Sequence, residues 1–209
     1  MLEEEKMAFD IYTTMDEKWG TMQFNHIKQS EVMHMDVLKN ILKENNVKYN
    51  LLSQGKFNDQ NLQKLYNNLY SQGMKSEIEA LKAGAKIEDV DIYDLIRLKK
   101  QTENPEIIKI YNFLECGSRN HLRAFTRGLN KNGETYRTEF ISQKDYETIL
   151  NNQQEPCGKD FGMQQGKMKG QGKNCGDNSE KNCSGAEQTK GQYGKQAECD
   201  AEKTTCCGN

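Results

Sequence analysis

The sequence predicts an all-α protein: a four-helix bundle with one long crossover, followed by a disordered C-terminal tail. Three observations carry this expectation. Four long stretches repeat apolar residues at alternating spacings of three and four, which places those residues on one face of a helix. The only two prolines, Pro105 and Pro156, stand at boundaries that the apolar pattern draws independently. Leu, Ile, Val and Trp are all absent after Leu150, so residues 151–209 hold too little apolar surface for an ordinary core. The expected organisation is therefore a helical domain over residues 1–150 and a Gly-, Lys-, Gln- and Cys-rich tail over residues 151–209.

The first helix runs from about Leu2 to Trp19, with Glu5, Ala8, Tyr12, Met15 and Trp19 on one stripe and Gly20 as its break. The second runs from about Gln23 to Asn45, with the stripe Phe24, Ile27, Glu31, His34, Leu38 and Leu42. A long crossover follows, carrying its own small helix around Leu62, Leu65, Tyr66 and Leu69 between Gly55 and Gly73. Ser76 with Glu79 has the form of a capping box, and it opens a third long helix, about 76–101, with Ile78, Leu81, Ala85, Glu88, Ile92 and Leu95 in line. Pro105 suits the first position of a helix, and Ile107, Ile110, Leu114, Ser118, His121, Phe125 and Leu129 make the fourth stripe. Asn132-Gly133 marks a turn, and Ser142 with Asp145 caps a last short helix holding Tyr146, Ile149 and Leu150. Two short connections flanking one long one describe the ferritin-like arrangement.

Charge and hydropathy exclude several function classes. With 29 Lys and Arg against 31 Asp and Glu, the formal charge is -2, which gives no electrostatic reason to expect a nucleic acid as partner. No apolar run has the length of a membrane span, and the opening MLEEEKMAFD has neither the basic nor the apolar part of a signal peptide. As written, the chain is expected in the cytoplasm; an upstream segment missing from this sequence would change that to export.

The stripes are interrupted in an informative way. Glu5, Glu31, His34, Glu88 and His121 occupy positions that periodicity assigns to the bundle interior. A buried carboxylate is costly unless it is paired, hydrogen-bonded or bound to a metal. One such residue would mean little, because a lone His or Glu on an apolar stripe is more often a satisfied core group. Five of them, drawn from all four long helices, point to a metal site over the rival reading of a buried ionic network. Glu31 and His34 are three apart, so both face one side of the helix and can serve one ion. Carboxylate and imidazole donors without thiolate suit iron or manganese better than structural zinc. Two divalent ions, Fe or alternatively Mn, reacting with oxygen, peroxide or ferrous iron, are the cofactor reading.

The stretches EEEKMAFDIYTTMDEKWG, SEVMHMDVLKNIL, EALKAGAKIEDVDIYDL and GSRNHLRAF resemble an uncharacterised prokaryotic ferritin-like family, domain of unknown function 2202. The similarity spans about Leu2 to Leu150, and more distantly the layout is similar to the rubrerythrin and ferritin superfamily. That resemblance implies a Glu seven residues before a Tyr in the first helix, matched by Glu5 and Tyr12, and an E-x-x-H in the second, matched by Glu31 and His34. It implies a pair of acids three apart in the third, matched by Glu88 and Asp91. The fourth helix should carry another E-x-x-H, but Ser118 stands three before His121. The implied metal ligands are Glu5, Glu31, His34, Glu88, Asp91 and His121, with Asp91 as the residue that compensates for Ser118. Tyr12 reads first as core, and Arg119 and Arg123 read first as partners of surface acids. A homodimer and an external electron donor of unknown identity also follow from the resemblance.

Residues 157–209 hold six of the seven cysteines and no C-x-x-C, so a rubredoxin-type iron knuckle is not expected. Three readings of the tail stand side by side: soft-metal binding, disulfides, or a plain tether. With them stands the alternative function, a non-catalytic, stress-related metal-binding protein with a degenerate di-metal site and a metal-binding Cys-rich tail.

Overall fold

Each helix begins and ends where local chemistry demands it. The computed structural model describes residues 1–158 and Phe161. Helix α1, Leu2–Trp19, stops at Gly20, whose left-handed backbone (φ 64°) turns the chain after its N–H bonds to the Asp16 carbonyl. Helix α2, Met22–Glu44, follows at once. Helix α3, Gln60–Gly73, is capped by the Asp59 carboxylate, which accepts from the N–H groups of Asn61 and Leu62. The Ser76 hydroxyl accepts from the Glu79 N–H to open α4, Glu77–Lys99. Asn104 does the same for α5, Pro105–Lys131, with proline at the first turn, and Ser142 for α6, Gln143–Asn151.

The four long helices α1, α2, α4 and α5 form the bundle, paired as the hairpins α1/α2 and α4/α5. The Thr21 hydroxyl, at the start of α2, donates to Glu77, at the start of α4, over 2.8 Å. Both helices therefore begin at the same end, and residues 45–76 must return the length of the bundle. This is the single long crossover of the ferritin-like arrangement. Helix α3 lies in that connection against α1 and α4. The buried Lys6 fastens it, its ammonium donating to Asp10 (2.5 Å) and to the Ser53 carbonyl (3.1 Å) and lying 4.5 Å from the Phe57 ring centre.

Two apolar clusters fill the interior. The larger holds Tyr12, Met15, Phe24, Leu81, Phe125 and their neighbours; the smaller holds Leu38, Leu95, Ile110, Phe113 and Leu114. On α2, α4 and α5 the interrupting polar residues lie in sequence between members of these two clusters, so a polar layer is sandwiched between apolar ones.

Beyond Leu150, where the sequence places the end of the helical domain, the chain stays attached to the bundle. Glu155 accepts from Arg119 and Arg123, the Arg123 Nε donates to the Ile149 carbonyl over 2.7 Å, and Cys157 is disulfide-bonded to Cys116 of α5. The residues that hold this segment are charged and thiol-bearing, which is why loss of aliphatic residues did not mark its end. The remainder of the tail expected to be disordered lies outside the described residues. Among those described, no helix is long and apolar enough to cross a membrane.

Candidate metal centre

Four helices each turn one polar side into the sandwiched layer. Helix α1 supplies Glu5, α2 supplies Glu31 and His34, α4 supplies Glu88 and Asp91, and α5 supplies Ser118 and His121; all are buried. His34 Nδ1 lies 3.1 Å from Glu5 Oε2 and 2.9 Å from Glu31 Oε2. His121 Nδ1 lies 3.0 Å from Glu31 Oε1 and 3.5 Å from Glu88 Oε2. The helical spacing of three between Glu31 and His34 is what brings their donors to one place.

These residues make two sets of three, Glu5–Glu31–His34 and Glu31–Glu88–His121, each with its donor atoms within 4.8 Å of one another. Glu31 belongs to both, offering one oxygen to each side. Two groups, each of which could hold a cation, therefore share one carboxylate. Asp91 lies beside them but in neither set. Its Oδ2 accepts from the Ser118 hydroxyl over 2.5 Å, and its Oδ1 has no partner. Ser118 therefore ties up the very residue expected to compensate for it.

Satisfaction of the buried polar atoms tests whether these residues suit a cation. Glu5 Oε1, Glu31 Oε1, Asp91 Oδ1 and His121 Nδ1 are buried without a hydrogen-bond partner; the 3.0 Å approach of His121 to Glu31 lacks hydrogen-bond geometry. Unpaired buried acceptors are expensive. The three carboxylate residues among them, Glu5, Glu31 and Asp91, line one small cavity together with Glu4 and Glu88, and a cation beside them would supply what the protein's own donors do not. The donor set fits divalent ions.

Protonation follows the same geometry. Burial pushes the Glu5 carboxyl up to about 7, against the pull of the neighbouring His34. Burial acts upward on Glu31 as well, but the charges of His121 and His34 outweigh it and hold that carboxyl below its ordinary range. Glu88 is raised by burial, opposed by His121, and Asp91 is raised well above the usual value by burial with Glu5 and Glu4 adding to it. Burial works downward on both imidazoles, yet the surrounding carboxylates prevail: His34 sits well above its ordinary value beside Glu5 and Glu31, and His121 rises to about 10 beside Glu31 and Glu88. Without metal, the centre is a pair of imidazolium ions sharing the Glu31 anion.

Two further residues, Tyr12 and Gly117, stand against the candidate ligands. Tyr12 packs its ring against Phe24 and Phe125, as a core residue should, but its hydroxyl also donates to Glu88 Oε1 over 2.5 Å. Its place on the Glu5 stripe was the available signal. At Gly117 a Cβ would lie 2.5 Å from His34 Nε2, so only glycine lets that ring stand upright against α5. Nothing in the sequence alone marks this close approach. Arg119 and Arg123, expected to meet surface acids, both bind the partly exposed Glu155 of the C-terminal segment. The buried Glu115 pairs with Lys99 and Arg119 and belongs to neither set of three.

The comparisons with known proteins agree with this picture at the level of the family. The chain is 42% identical over 157 residues to the uncharacterized protein MJ0754 of Methanocaldococcus jannaschii, covering 74% of this chain and 85% of that one. The crystal structure of the hypothetical protein MJ0754 from the same organism superposes with a TM-score of 0.73 at 43% identity, over 74% of this chain and 90% of that chain. Residues 1–153 match the family described as an uncharacterized protein domain, DUF2202, and the chain belongs to that family.

Proposed function

We propose that the protein is a di-metal carboxylate protein of the ferritin-like kind, binding two iron or manganese ions and acting as an oxidoreductase on oxygen, peroxide or ferrous iron. One observation carries the reading: two buried carboxylate–imidazole sets share Glu31 and leave acceptor atoms without hydrogen bonds. Glu5 and His34 would hold one ion, Glu88 and His121 the other, and Glu31 both. Bound there, the two ions supply a two-electron redox change beside a site where an oxygen species can be reduced.

The protein's own groups supply the rest. The apolar clusters on both sides exclude bulk water, which strengthens every charge interaction in the layer. The Tyr12 hydroxyl holds Glu88 in place. Protons carried by the two imidazoles in the metal-free state must leave when ions bind.

Ser118 favours a second reading, a protein that binds metal without turnover. It stands where a second acidic arm would complete a symmetric site, and its hydroxyl engages Asp91 instead.

Metal analysis of the full chain, purified without added metal or chelator, tests the primary reading. About two iron or manganese per chain are expected, falling well below one in Glu31→Ala. Protein that binds neither metal, with thermal stability indifferent to both, would leave the polar layer as an ionic network. Oxygen or peroxide consumption by the iron-loaded protein far above that of free iron separates the enzyme from the silent binder.

A further inference from the structure

A reductive reaction at such a centre needs two electrons returned after each turnover, and the chain holds a candidate source beside it. Cys116 and Cys157 form a disulfide, with Cα atoms 5.7 Å apart. Both are half-buried rather than sealed in the core. Cys157 lines a surface groove whose floor contains His34 and His121. Cys116 is one peptide bond from Gly117, whose absent Cβ would lie 2.5 Å from His34 Nε2. The disulfide thus stands one residue along α5 from the place where that helix packs close to the His34 ring. On its other side the disulfide lines a second depression, with Pro156 and Phe161, where a small dithiol or a protein thiol can reach it.

Resting on the di-metal reading above, we infer that Cys116 and Cys157 are the electron reservoir of this centre, cycling between dithiol and disulfide as peroxide is reduced. The overall step balances. One hydrogen peroxide and two thiols give two waters and one disulfide; the O–O bond breaks, the S–S bond forms, and both thiol protons end in water. An external dithiol then restores the pair by thiol–disulfide exchange and is itself oxidised to a disulfide. Five further cysteines, Cys175, Cys183, Cys199, Cys206 and Cys207, follow Cys157 in the sequence. A plainly structural disulfide would also tie residues 152–158 to α5, so the test must read chemistry and not stability.

The experiment uses the full chain, reduced with dithiol, freed of reductant without air, loaded with two ferrous ions per chain and given one equivalent of hydrogen peroxide. Peptide mapping by mass then follows the Cys116–Cys157 cross-link itself, distinct from any bond among the other cysteines. The expected result is about one cross-link per peroxide, formed at least tenfold faster than in metal-free protein or in Glu31→Ala. With dithiol as donor, Cys116→Ser is expected to keep two ions and lose at least tenfold in peroxide turnover. A cross-link that forms equally fast without metal, or undiminished turnover in Cys116→Ser, overturns the inference. The mapping uses the unaltered chain, so it stands even if a cysteine variant fails to fold. Two bound ions and consumed peroxide with both thiols still reduced would sink this inference alone. Absence of bound metal would sink the di-metal reading, and this inference with it; two bound ions without peroxide consumption would sink this inference alone.

Discussion

Helix α4 carries two neighbouring buried acids whose surroundings could hardly differ more. Asp89 is fully buried and fully satisfied. It accepts from the hydroxyls of Tyr136 and Thr138 and from the backbone N–H groups of Glu139, Phe140 and Ile141. It fastens the segment between α5 and α6 as a capping carboxylate fastens a helix. Glu88, one residue earlier, points into the polar layer, where it meets one hydroxyl donor, a histidine and other carboxylates. Burial is equal at the two positions; the supply of donors is not. Asp89, ringed by N–H and O–H groups, is structural, whereas Glu88, with fewer donors and more carboxylates around it, stands in a setting that suits a cation.

The sharpest way to break that contrast is to remove each acid in turn. Asp89→Ala would strip five hydrogen bonds and leave backbone donors buried without partners. A loss of about 3–5 kcal/mol is expected in urea unfolding, with the folded fraction still binding its full complement of metal. Glu88→Ala should do the reverse: metal bound per chain falls by about half, and the metal-free protein loses less stability than Asp89→Ala does. If the two variants gave the same pattern, donor supply would not be what distinguishes the sites.

Acidity sharpens the comparison next. For His121 the folded-state value of about 10 exceeds the ordinary 6.5, so its contribution to stability is complete below about pH 6.5 and is lost as pH climbs towards 10. His34 is shifted in the same direction, and Glu5, raised from 4.5 to about 7, adds a loss between those values. Glu31 is shifted the opposite way, and its contribution disappears only in acid. The metal-free protein should therefore be most stable in mildly acidic solution, melting lower at pH 9 than at pH 6. Metal binding must expel those same protons, so its affinity rises with pH. The increase in melting temperature on adding manganese should be larger at pH 8 than at pH 6; an equal increase at both would deny that the protonated residues are the ligands.

How much of this was legible in the sequence depends on the range of the forces concerned. Helix ends were readable where the signal is local: Gly20, Ser76, Pro105 and Ser142 each act within a turn of themselves. The polar layer was readable because Glu31 and His34 share a helix face and because Glu5, Glu88 and His121 break otherwise apolar stripes. The bond between Ser118 and Asp91, the Tyr12 hydroxyl on Glu88 and the pairing of Cys116 with Cys157 span helices or segments far apart in sequence. Periodicity says which face a residue occupies but not which atom waits opposite it. The attachment of residues 152–158 was not legible for a related reason, since counting aliphatic residues detects apolar packing and misses a segment held by Arg119, Arg123 and a disulfide.

Gly117 makes that last point testable. Alanine is an excellent helix former, and in the sequence Gly117→Ala looks stabilising. In the structure the new methyl would collide with His34, which must rotate away from Glu5 and Glu31. The expected outcome is a metal content falling from about two to about one per chain, the set containing His121 being retained. A variant that kept two ions would show that the ring is free to adjust.

The smallest effect belongs to Tyr12, where structural and functional demands coincide on one side chain. Tyr12→Phe keeps the ring that packs between Phe24 and Phe125 and removes only the hydroxyl that donates to Glu88. In the metal-free protein about 1 kcal/mol of stability should disappear with that hydrogen bond. Two ions should still bind, because Glu88 keeps both oxygens and loses only the donor that orients it, and the affinity should weaken by a few-fold. Comparing the melting temperatures of the variant with and without manganese reads both consequences at once. A variant as stable as the parent without metal would mean that the hydroxyl contributes nothing to the metal-free fold, and Tyr12 would then be simply the core residue its stripe suggests.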